Sequence, residues 1–331
     1  MEYPFKNLVF EGGGIKGIAY LGALQALEER HILANIKRVG GASAGAINAL
    51  LLALGMNIDE ISKTIWQMDF TKFLDDDWGV IRDSIRLINH YGWYKGDAFK
   101  KWISDIIERK TGDPRTTFAD IENMKDKGNF KSIYMVGTNL SIADSEIFSA
   151  ENTPNMPLAD AVRISMSLPL FFEAIKKSDG DILVDGGVLN NYPVKLFDRE
   201  SYVDSIENAI RTDYYDKIKQ SDSEVTDMVY NKETLGFRLD SKNEIEMYKE
   251  HKKITHKQID SIFDYSWALL NSIYEFQSNI HLHSDDWNRT VYIDTLGVKT
   301  TDFAISDEIK GKLVDSGKAG AETFFTWYDK Q

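Results

Sequence analysis

Three short glycine-framed segments carry the residue types that acyl transfer needs. They are Gly12-Gly13-Gly14-Ile15-Lys16-Gly17, Gly41-Ala42-Ser43-Ala44-Gly45 and Asp185-Gly186-Gly187. In a G-x-S-x-G turn the glycines accept strained backbone angles and leave the serine hydroxyl open to attack a carbonyl. The first segment offers backbone N–H groups without side chains at the start of a helix-patterned stretch, where developing negative charge is stabilised. A nucleophile beside an anion cradle then lacks only a base. Asp185 follows the run Asp181-Ile182-Leu183-Val184, so its carboxylate is expected at the rim of a sheet, where α/β active sites form. A carboxylate beside Ser43 can take the serine proton directly, without an imidazole. The competing reading is an aspartate that only pins its own turn.

Two rival chemistries use some of the same residues. Gly12, Gly14 and Gly17 satisfy G-x-G-x-x-G after a strand, the pattern of a dinucleotide fold, which also wants a carboxylate at the end of the second strand. Here that strand runs into Gly40-Gly41-Ala42-Ser43 and offers none. Lys16-Gly17 also lacks the Gly-Lys-Ser/Thr ending of a P-loop, so no nucleotide is expected. A Ser–Asp–His triad of α/β-hydrolase order can be written with Ser43, Asp185 and His281 or His283. The elbow arrives after only two strands, too early for that fold, and both histidines lie in a polar stretch that reads as surface.

These residues need a frame that brings them together. Asn7 to Phe10 and Ile36 to Val39 read as short buried strands, and Ile15 to Leu27 and Ala44 to Leu54 as the helices behind the two turns. Strand, turn, helix, repeated, is the pattern of a parallel α/β sheet. Further strands are expected at Ser132 to Gly137, Asp181 to Val184, Leu235 to Leu239 and Thr290 to Ile293, with helices at Leu158 to Ser167 and Asp307 to Tyr328. Asp97 is a candidate N-cap for a helix through Ile107, and Thr117-Phe118-Ala119-Asp120 resembles a capping box. Phe263, Trp267, Leu270 and Tyr274 fall on one helical face and read as a core stripe. An aromatic stretch from Trp66 to Tyr94, broken by Asp75-Asp76-Asp77, fits a lid or an acyl-groove wall over Ser43, or ordinary core. Residues 201–232 are polar and weakly periodic, and read as an insertion in a single domain spanning 1–331.

Composition narrows the partners. A formal net charge of −13 opposes broad nucleic-acid binding and long-range attraction to anionic membranes. The absence of cysteine removes disulfides, thiolate metal sites and cysteine nucleophiles from consideration. No metal and no cofactor is expected. Met1 to Lys6 lacks the pattern of a secretory signal, and Ala46 to Met56 is too short to span a bilayer. The expected location is cytoplasmic or peripheral at a membrane.

Glu11 to Gly17, Gly41 to Gly45 and Asp185-Gly186-Gly187 resemble, in order and context, the three signatures of the patatin-like phospholipase family. Supporting similarity extends over nearly the whole chain, through Gly92 to Gly96, Ser165 to Phe171, Asn190 to Pro193 and Asp294 to Phe303. The resemblance implies a three-layer α/β fold with a mostly parallel central sheet flanked by helices. It also implies a Ser43–Asp185 dyad acting on acyl esters of lipid, with phospholipid or lysophospholipid at a membrane surface as the substrate class. Soluble esters or thioesters, and a non-catalytic lipid-binding scaffold, are the other readings it leaves open. The oxyanion donors it implies are the N–H groups of Gly13 and Gly14, with Ala44 as a third candidate. Family members often carry Asp and Arg where this chain has Glu11 and Lys16. Lys keeps the charge without the bidentate fork, so Lys16 is open to two roles, a loop salt bridge or a contact with lipid phosphate.

Overall fold

The computed structural model describes residues 3–68, 70–73, 91–221, 226–240, 285–300, 302 and 304–331, with 259, 265, 268–269, 272–274 and 276 between them. The main sheet is built from β1 (Asn7–Phe10), β2 (Arg38–Ala42), β4 (Ser132–Asn139), β5 (Asp144–Phe148), β7 (Ile175–Lys176), β8 (Ile182–Asp185), β11 (Thr234–Asp240) and β12 (Thr290–Asp294). Its order is β12-β11-β1-β2-β4-β8-β7, with β5 on β4. The run from β12 to β4 is parallel, while β5, β8 and β7 add antiparallel pairs at one end. Two small sheets pair β3 (Gly92–Tyr94) with β6 (Leu170–Phe172), and β9 (Ala209–Ile210) with β10 (Tyr230–Asn231).

The central strands are apolar because both their faces are covered. All four residues of β1 are buried, as are all seven of β11, the pattern of parallel strands packed beneath helices. Helix α1 (Tyr20–Glu29) follows β1 through a tight 3-10 segment, Gly14–Ala19, and helix α2 (Ala44–Ala53) follows β2 after the single residue Ser43. Every residue of α2 is buried, so its lack of a polar face marks it as a central helix. The long helix Asp307–Tyr328 lies across α1 at close range: a Cβ on Gly22 would overlap the Val314 carbonyl, and one on Gly317 the Ala19 carbonyl. Small residues there permit backbone-to-backbone packing. The capping box at Thr117 and Asp120 forms as expected.

Three expectations shift. The second strand begins at Arg38, not Ile36, and reaches Ala42, because Gly40 and Gly41 lie in the sheet and not in the turn. The helix expected from Ile15 starts as 3-10 and becomes regular only at Tyr20. The helix Asp97–Thr111 is capped by Gly96 at φ +75°, with Asp97 inside its first turn. Of the aromatic stretch, Phe73 packs on Phe99 and Trp102 as core, whereas Trp78 and Asp75 to Asp77 lie outside the described residues. So do Phe263, Trp267, Leu270, His281 and His283.

Candidate active site

Register along β4 brings the serine and the aspartate together. Ala42, the residue before Ser43, pairs with Val136, and Asp185 pairs with the next residue, Gly137. Two segments 142 positions apart in sequence therefore end at consecutive positions of one strand. Glycine is needed along this seam, since a Cβ on Gly186 would overlap the Val136 carbonyl and one on Gly41 would lie 2.5 Å from the backbone of Gly45.

Ser43 sits on a sharp elbow with φ 53° and ψ −125°. A serine held there costs on the order of 1–3 kcal/mol and persists only where its surroundings enforce it. The enforcement is visible. Ser43 N–H donates to Ser165 Oγ at 2.9 Å, and the Ser165 hydroxyl donates to the Val136 carbonyl at 2.7 Å. Ser165 closes the helix Leu158–Ser165 and is fully buried, so it ties the elbow to β4. The Ser43 hydroxyl is left to a soft acceptor, Met166 Sδ at 3.5 Å.

Asp185 is fully buried. Its Oδ1 accepts the Gly187 N–H at 2.7 Å, so the turn-pinning role foreseen for it is real. Its Oδ2 is buried with no partner of ordinary hydrogen-bond geometry among the described residues. Burial pushes the carboxyl up to about 7, against the opposing pull of the Ser43 hydroxyl and the Gly187 N–H. One oxygen thus fixes the side chain, and the other is available to exchange a proton near neutral pH.

The glycine loop divides its N–H groups in the same way. Gly12 N–H donates to the Asn191 carbonyl and Ile15 N–H to the Thr300 carbonyl. Those of Gly13, Gly14 and Ala44 have no acceptor among the described residues. Gly14 adopts φ +55° with the Thr300 carbonyl pressed against it, and a Cβ on Gly12 would come within 3.0 Å of Ser43 Cβ. Beneath the loop, the Glu11 carboxylate accepts Asn191 Nδ2 at 3.2 Å and Leu239 N–H at 2.7 Å, and its carbonyl accepts the Tyr20 hydroxyl at 2.6 Å. Glu11 therefore fastens the cradle to β11 and to Asn191, which follows the Asp185-Gly186-Gly187 turn. Gly17 lies against Ala44, and Gly45 against the Phe10 carbonyl, so the two elbows pack directly.

Lys16 makes no salt bridge among the described residues, and its stem lies over Gly13. Ser165, Met166 and Asn191 belong to segments that the sequence flagged only as supporting similarity. Nothing in a sequence marks a buried serine as a backbone tie. No cluster of three or more His, Cys, Asp or Glu that could hold a metal ion occurs among the described residues, and no described helix is long and apolar enough to cross a membrane.

A family model described as "Patatin-like phospholipase" matches residues 8–198. YqhO of Bacillus subtilis is 31% identical over 326 residues, 96% of each chain. The probable lipid hydrolase 463L of Invertebrate iridescent virus 6 is 27% identical over 192 residues, 58% of this chain and 63% of its own length. Among solved structures, VipD from Legionella pneumophila matches with a TM-score of 0.59 at 22% identity, over 98% of this chain and 67% of that one. ExoU of Pseudomonas aeruginosa matches at 0.51 and 18%, over 99% and 54%. At these identities the two structures speak for the fold.

Proposed function

The chain belongs to the patatin-like phospholipase family, and from that premise we propose that it is a lipid acyl hydrolase of phospholipase A or lysophospholipase type, working through a Ser43–Asp185 dyad. The observation that supports this reading is the pairing of a strained, backbone-tied serine with a buried carboxylate one position further along β4, whose Oδ2 has no partner of ordinary hydrogen-bond geometry among the described residues.

In the proposed reaction the Ser43 hydroxyl turns from Met166 toward Asp185. Oδ2 takes its proton as Oγ attacks the ester carbonyl carbon. The oxyanion that forms is met by the N–H groups of Gly13 and Gly14, with that of Ala44 at the start of α2, where the helix dipole adds to the stabilisation. Collapse breaks the bond to the alcohol, which leaves with the proton from Asp185. Water then attacks the acyl-enzyme and gives a proton to Asp185, and that proton returns to Ser43 as the fatty acid departs. Gly41, Gly45 and Gly186 let backbones approach, while Gly12, Gly17 and Gly187 leave room for the side chains of Ser43, Ala44, Asp185 and Asn191.

Incubation of phospholipid and lysophospholipid vesicles with wild type and Ser43→Ala, read by lipid mass spectrometry, tests the function. Fatty acid release by wild type alone is the expected result, with a loss of at least about a thousandfold in the variant. Activity confined to monomeric soluble esters would favour a carboxylesterase or acyltransferase. Equal activity in both proteins would overturn Ser43 as the nucleophile, and none in either would leave a non-catalytic lipid-binding scaffold.

A further inference from the structure

The acid-base chemistry above leaves one buried polar group beside Asp185 unused. The Tyr274 ring edge lies 3.2 Å from the point where a Cβ on Gly187 would sit, and Asp185 Oδ1 lies 3.0 Å from the same point. Both side chains therefore border Gly187 on the side a Cβ would take, near enough for the Asp185 charge to act on the phenol. The Tyr274 hydroxyl is buried and has no hydrogen-bond partner among the described residues, and the same holds for Asp185 Oδ2. Each of two side chains bordering Gly187 thus carries a buried polar atom without a partner among the described residues, which is costly unless water satisfies it. A water held between a carboxylate and a phenol would satisfy both, since a buried water needs two or more polar partners. Burial and the charge of Asp185 hold the phenol well above its ordinary pKa, so Tyr274 stays neutral and does not compete as a base.

We propose that Tyr274 positions the water that hydrolyses the acyl-enzyme, a role that rests on the Ser43–Asp185 reading. The water gives one hydrogen to Asp185 Oδ2 and its second is accepted by the Tyr274 hydroxyl oxygen, which aims its lone pair at the ester carbon of acyl-Ser43. A bond forms from water oxygen to that carbon, the carbon–Oγ bond breaks, and Asp185 returns the proton to Ser43. Acylation does not use this contact, because the attacking Ser43 hydroxyl has a single hydrogen and gives it to Asp185.

Methanol separates the two roles. It also has one hydroxyl hydrogen, so its attack on the acyl-enzyme needs Asp185 but not Tyr274. Tyr274→Phe and wild type are compared on a p-nitrophenyl ester with added methanol, reading the acylation burst and the ratio of methyl ester to free acid. The expected result is an unchanged burst rate and a rise in that ratio of roughly three- to tenfold, the worth of one hydrogen bond. The ratio is set after acylation, so it is independent of how much variant is folded. An unchanged ratio would overturn the proposal, as would equal loss of burst and turnover, which would mean that Tyr274 acts on Asp185 itself. A wild type that forms no ester on Ser43 would instead overturn the dyad, and with it this inference.

Discussion

The carboxylate proposed as the base is held where its charge is costly, and that conflict is measurable. The Asp185 carboxyl, at about 7, lies well above its ordinary 3.8 because burial disfavours the anion. The folded protein therefore binds a proton there more tightly than the unfolded chain. Its contribution to stability is complete below about pH 4 and is lost as pH rises through about 7. Asp185→Asn does not titrate and keeps an oxygen for the Gly187 N–H. The variant should gain thermal stability relative to wild type as pH is raised from 4 to 8, by at most about 4 kcal/mol, and should lose activity at every pH. A stability difference that stays flat across this range in thermal melts would remove the burial argument. The same ionisation should appear in wild-type kinetics, with kcat/KM rising on an acid limb centred near pH 7, because only the anion can take the serine proton.

At the scale of elements, the site depends on glycines that let backbones touch, and these differ in kind. Gly317 faces the Ala19 carbonyl where the long helix Asp307–Tyr328 crosses α1, whereas a Cβ on Gly311 of the same helix meets nothing within 4 Å. Gly317→Ala should lower stability by about 1–3 kcal/mol through overpacking. Gly311→Ala should raise it by roughly 0.5–1 kcal/mol through helix propensity. Denaturant unfolding of the two variants checks the pair, and equal effects would show that the interhelical contact is looser than described. Strand and helix identities were readable because β1 and α2 are continuous apolar runs of strand and helix length and the helix Asp307–Tyr328 buries residues at helical spacing. Their edges were not. Gly40 and Gly41 look like turn residues in sequence, yet they lie in β2 because α2 and Leu196 crowd them. Gly96 took the cap from Asp97 because it can enter the left-handed region beside Arg163.

Over the whole molecule, Ser43 and Asp185 were legible as candidates because each stands in a glycine frame after an apolar run. Their meeting was implied only by the family resemblance and not by local pattern, since it depends on β2 and β8 ending at adjacent residues of β4, a fact of register between distant segments. Ser165 and Asn191 stood out in sequence only as parts of segments of family similarity and Tyr274 only as one member of an apolar helical stripe; their places beside Ser43, Glu11 and Gly187 emerge once the chain is folded. One comparison tests the central claim, that a carboxylate alone serves Ser43 as base. The rate of p-nitrophenyl ester hydrolysis is measured for wild type, Asp185→Asn and the double variant His281→Ala/His283→Ala. The dyad predicts a fall of at least about a thousandfold for Asp185→Asn and a rate within a few-fold of wild type for the double histidine variant; equal collapse of both would contradict it and require a triad.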